Sequence, residues 1–179
     1  MSEGARKHMD NISTRKWSEI RNLAVVTLTD GKKVGTVEDF YFDPQTNSVR
    51  ALLIKTGVFG HQVLLVSSIH AFGQDAITAS GDNALIKEKN DAQLSTMPLG
   101  QALLTYKVMS EGGSVVGTIG NVLFDLSTPG VLRVAAFEMA AGLRERISGH
   151  YPTFEAQRVI QYGQDVMVIP DAIALELTK

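Results

Sequence analysis

Four histidines, His8, His61, His70 and His150, are the only side chains here that titrate near neutrality or offer an imidazole to a metal, because cysteine is absent. His61 and His150 each follow a glycine, Gly60 and Gly149. A two-histidine metal site needs carboxylates converging on it, and the simpler reading is a histidine that closes a loop. Nucleophilic chemistry needs a Ser, Thr or Lys held beside a base. The chain has no Gly-x-Ser-x-Gly, His-Glu-x-x-His, phosphate-loop or Gly-x-Gly-x-x-Gly pattern. The residues therefore point to a non-enzymatic protein with no cofactor and no metal.

Binding chemistry is concentrated elsewhere. Residues 140–151 (AAGLRERISGHY) bring Arg144, Arg146, His150 and Tyr151 together, a mix of cation and aromatic that suits an anionic or protein partner. With His61, these are the candidate partner-contact residues. Leu143 and Ile147, four apart, offer the alternative of a short amphipathic helix packed on the domain. Asp43 and Asp125 sit at predicted strand ends, where an aspartate caps a turn by accepting from nearby backbone N–H groups. Arg50 and Arg133 begin apolar strands and are expected to pair with such loop aspartates.

These residues recur because the chain repeats itself. Val34-Gly35-Thr36-Val37-Glu38-Asp39-Phe40-Tyr41-Phe42-Asp43 aligns with Val116-Gly117-Thr118-Ile119-Gly120-Asn121-Val122-Leu123-Phe124-Asp125, five identities in ten at a spacing of 82. Gly60-His61 aligns with Gly149-His150, and Phe72-Gly73-Gln74-Asp75 with Tyr162-Gly163-Gln164-Asp165. The organisation expected is a polar leader over 1–16, one unit over 17–87, a polar linker over 88–97 and a second unit over 98–179.

Each unit reads as short strands between turns. Asp30-Gly31 after the β-branched run Ala24–Thr29 signals a hairpin. The return strand Lys33–Phe42 changes apolar parity midway, which predicts a bulge or burial on both faces. Strands at this density, without long helical periods, describe an all-β fold of antiparallel barrels or closed sandwiches. Pro170 followed by residues 171–175 predicts a short terminal helix.

Composition limits the partners. A net charge of −2 from 17 Lys+Arg and 19 Asp+Glu argues against a polyanion-coating surface, and Lys32-Lys33 is the one basic pair within the repeats. No apolar run reaches the roughly 18–20 residues of a membrane span. The amino terminus has no apolar signal core, so cytoplasm is the expected location. Trp17 is expected to dock on the first unit rather than on a membrane surface.

The segment Gly35-Thr36-Val37-Glu38-Asp39, then Phe42-Asp43-Pro44 and Val49-Arg50-Ala51-Leu52-Leu53-Ile54, resembles the PRC-barrel domain. That family includes the cytoplasmic part of the photosynthetic reaction centre H subunit and the ribosome maturation factor RimM. The resemblance implies two tandem small antiparallel β-barrels with short terminal helical segments, and a protein-binding or assembly role. It leaves two other roles open, an accessory factor in RNA or ribosome assembly and a peripheral adaptor of a membrane electron-transfer complex. A rigid pair of units or a homodimer is expected, because barrels this small gain stability by sharing a face. The acidic residues that serve proton delivery in the H subunit have no positional match, and none is carried over.

Overall fold

Residues 13–81 and 83–179 are described by a computed structural model. The first half runs β1 (Thr14–Lys16), α1 (Trp17–Ile20), β2 (Ala24–Thr27), β3 (Lys32–Asp43), β4 (Ser48–Thr56), β5 (Gly60–Leu65), β6 (Ile69–Phe72), β7 (Ala76–Ala79) and β8 (Leu85–Ile86). The second runs α2 (Gly100–Leu103), β9 (Lys107–Ser110), β10 (Val115–Asp125), β11 (Arg133–Met139), α3 (Leu143–Ser148), β12 (Thr153–Glu155), β13 (Gln161–Tyr162), β14 (Val166–Ile169) and α4 (Asp171–Leu177). The all-β expectation holds at this level.

Turn chemistry places the strand ends where the sequence indicated. Gly31 adopts φ 65° in the β2–β3 turn, and the Asp30 carboxylate accepts from the Thr27 hydroxyl and the Lys32 N–H. Asp43 accepts from the Gln45 N–H at 3.0 Å, and Asp125 from the Ser127 N–H at 2.8 Å. The parity change in β3 appears as register shifts against β4 at Val37/Asp39 and Tyr41/Phe42. Such shifts bend a strand and let its two ends bury different faces.

The strands form one sheet in the order β13-β14-β9-β10-β11-β4-β3-β2-β7-β6. Pairing is antiparallel except for β2 with β7 and β9 with β14, which run parallel. The ladders do not close, so the strands make a continuous sheet in place of two separate rings. The halves join where Ser48 of β4 lies opposite Arg133 of β11, with the Val49 N–H donating to the Leu132 carbonyl and the Val134 N–H to the Asn47 carbonyl. Side chains then tie the outer strands back. The Tyr162 hydroxyl donates to Asn47 Oδ1 at 2.8 Å, its ring meets Phe42 edge-on, and Arg15 donates to the Gly73 carbonyl.

One hydrophobic cluster spans both halves, from Trp17, Phe40 and Leu52 to Phe124, Phe137 and Ile169. A second, smaller one lies on the other face of β3, β4 and β5, where Tyr41, Ala51 and Val63 meet Leu94. The apolar run Ala51-Leu52-Leu53-Ile54 is continuous because its residues alternate between these clusters.

The leader and linker expectations meet a different arrangement. Thr14–Lys16, expected within the polar tail, pair with Leu123–Asp125 of β10. Residues 88–97 lie over the outer face of the first half and contribute the buried Leu94. Trp17 is buried against the second half as well as the first, because α1 packs on β10. Residues 1–12, including His8, lie outside the described residues.

Candidate interaction surface

The two strands that lead to the candidate residues leave the middle of the sheet in opposite directions. β4 and β11 are antiparallel and meet at their first residues, Ser48 and Arg133. At about 3.3 Å per residue, His61, which lies opposite Lys55, and Thr153, opposite Glu138, are separated by roughly 40 Å of strand. The repeat therefore carries His61 and His150 away from the junction in opposite directions along the sheet. Among the described residues no group of three His, Asp or Glu side chains is placed to hold a metal.

At the first end the β4–β5 turn is Gly57-Val58-Phe59, with Gly57 at φ 66°. The left-handed glycine lets the chain reverse tightly, so the next two side chains project outward. Val58 is 77% and Phe59 93% exposed, the largest apolar exposure on the first half. His61 Nε2 pairs with the Glu38 carboxylate beside this turn. Exposed Lys55 and the Lys32–Lys33 pair are carried on the neighbouring strand ends.

At the second end, the inserted stretch forms α3, and the N–H of Gly149, at φ 71°, closes the helix on the Glu145 carbonyl at 2.8 Å. Arg146 and His150 are exposed, Tyr151 is half-buried, and the Arg144 side chain lies outside the described residues. Ile147 is 79% exposed. That overturns the alternative in which Ile147 packs the helix onto the domain: the residue faces solvent.

Between the ends, the junction carries a groove of about 330 Å³ beside Arg50, Gln93 and Val131, continuous through Val66 and Gly130 with a second of about 270 Å³ along β6. Arg50 is taken there by Asp91, its guanidinium donating through Nε and Nη2 at 3.1 and 2.9 Å, so Asp43 is not its partner. Arg133 lies across the ladder from Asp125, within reach of its charge. Hydrogen bonds from Ser127 and the Arg133 charge hold the Asp125 carboxyl below its ordinary range. Tyr41 is pushed up to about 12 by burial and the nearby Glu88 carboxylate.

The chain's two arms, the short leaders ahead of β2 and β9, dock across the junction. Lys16 lies opposite Leu123 of β10, while Leu99 bridges Tyr41 of β3. In one case Asn121 Oδ1 accepts from the Ser18 and Val122 N–H groups, and in the other Asp39 Oδ1 accepts from Gln101 and Phe40. Asp39 is 6% exposed, and desolvation raises its pKa despite these donors.

Residues 13–91 match the PRC-barrel domain. The match covers somewhat under half of the chain, from the start of the first arm to Asp91. No curated protein matches the chain. The matched segment thus begins with β1 and α1, which dock on the other half, and ends with the residue that anchors Arg50. Sequence reasoning placed the candidates on the two connections but passed over Val58 and Phe59. Two large apolar residues between turn glycines were the available signal.

Proposed function

We propose that this chain is a non-enzymatic binding or assembly module in which residues 98–179 form a second PRC-type unit fused to the first. The two connections at opposite ends act as contact points for a protein partner. The outward Phe59 carries this reading: a large aromatic left 93% in water costs solvation free energy that a partner pocket would recover. The second unit is supported by the strand order, which runs through equivalent strands from both edges to the β4–β11 junction.

The test is a photo-crosslinking amino acid placed in the full chain at position 59 or at position 147, with the exposed position 135 on β11 as the control. Discrete protein adducts at 59 or 147, absent at 135, are the expected result. A correctly folded protein that gives no adduct at either end overturns the contact assignment.

A further inference from the structure

The arm-docking sites share a backbone grammar but differ in side-chain volume. In each, an extended residue pairs with the long strand, the next residue begins a single helical turn, and the third donates its N–H to an Asp39 or Asn121 oxygen. The residue that begins the turn is Trp17 in one arm and Gly100 in the other. The strand position before the paired residue is Val122 on β10 and Phe40 on β3. The large arm residue thus goes with the small strand residue, and the small with the large.

A residue of the tryptophan's size cannot take the glycine's place on β3. A Cβ on Gly100 would come within 2.0 Å of the Phe40 ring, so the β3 site has no room for any side chain there. Trp17 is 3% exposed and meets Phe40 and Phe124 edge-on, with centroids at 5.0 and 6.3 Å, while these two rings meet each other at 5.1 Å. Its buried Nε1 has no hydrogen-bond partner among the described residues, so volume rather than a hydrogen bond accounts for a tryptophan here.

We propose that the β3 and β10 arm sites are orthogonal recognition surfaces: β3 accepts only a glycine-bearing arm and β10 a tryptophan-bearing arm. The first unit therefore takes the second half as its partner and rejects another copy of itself. This goes beyond the binding role proposed above and does not depend on any outside partner.

Two measurements on the full chain test it. Gly100→Ala should lower Tm by roughly 4–10 °C from overpacking, and adding Phe40→Val should restore at least half of that loss although each change alone destabilises. Losses that simply add, or a tolerated Gly100→Ala, overturn the proposal. In the second, a protease site inserted between Glu88 and Lys89 lets the folded protein be nicked and examined by native mass spectrometry. The expected species is a one-to-one pair of the two pieces. Homodimers of either piece, or separated monomers, overturn it.

Discussion

β4 and β11 occupy equivalent places in the sheet, yet β4 is buried on both faces and β11 on one. Along β4, Leu52 and Ile54 enter the shared core while Ala51 enters the outer cluster beneath Leu94. Along β11, Val134, Phe137 and Met139 are buried whereas Arg133 and Ala135 face water. The difference comes from residues 85–97, which pass over the first half only. A segment that reads as a polar spacer is therefore structural cover, and the equivalence of the halves ends at their inner face.

Leu94→Ala strikes this cover directly. Leu94 is 1% exposed, and its truncation is expected to destabilise the protein by about 2–4 kcal/mol. Chemical denaturation checks this; a loss below about 1 kcal/mol would mean that the segment lies loosely on the sheet.

The next comparison is between Asp39 and Asn121, which accept equivalent backbone donors with and without a charge. Asp39→Ala should cost about 1–3 kcal/mol by leaving the Gln101 and Phe40 N–H groups unpaired. Asp39→Asn should instead stabilise the protein at neutral pH, because it keeps the acceptor and removes a desolvated carboxylate. The sign follows from the raised folded pKa. Relative to the unfolded chain, the buried group favours the protonated form, so its stabilising contribution is complete below the ordinary aspartate value of 3.8 and is lost as pH rises through the folded pKa. The advantage of Asn over Asp should therefore grow from pH 4 to pH 7 in thermal melts, and a constant difference would contradict it.

The smallest expected contrast is between the repeated arginines. Arg50 holds Asp91, whose side chain is 8% exposed, whereas Arg133 is exposed on β11. Arg50→Ala should cost about 1 kcal/mol, since half-exposed pairs are screened but the remaining carboxylate is buried. Arg133→Ala should stay within about 0.5 kcal/mol. Equal losses would remove the distinction between a covered and an open outer face.

Much of this was legible in local residues. The five identities between Val34–Asp43 and Val116–Asp125 revealed β3 and β10, and Asp43 and Asp125 cap their turns as aspartates at such positions do. Loop aspartates such as Asp43 or Asp125 are the local choice for Arg50, and nothing local marks Asp91, 41 residues away, as the partner. The alignment of Gly60-His61 with Gly149-His150 gives equivalence without direction. It is the antiparallel β4–β11 junction that sends them in opposite directions.

The strands, the turns that separate them and the repetition of the pattern follow from the residues alone. These depend on alternation, on glycine and aspartate chemistry, and on contacts a few residues apart. Three-dimensional packing alone sets each arm on the opposite half, lays residues 88–97 over one face, and places a buried Trp17 in one arm where the other has Gly100. Those outcomes depend on which distant surfaces share space at the junction. There a pairing choice is made by steric fit between rings such as Trp17, Phe40 and Phe124, which no local pattern encodes.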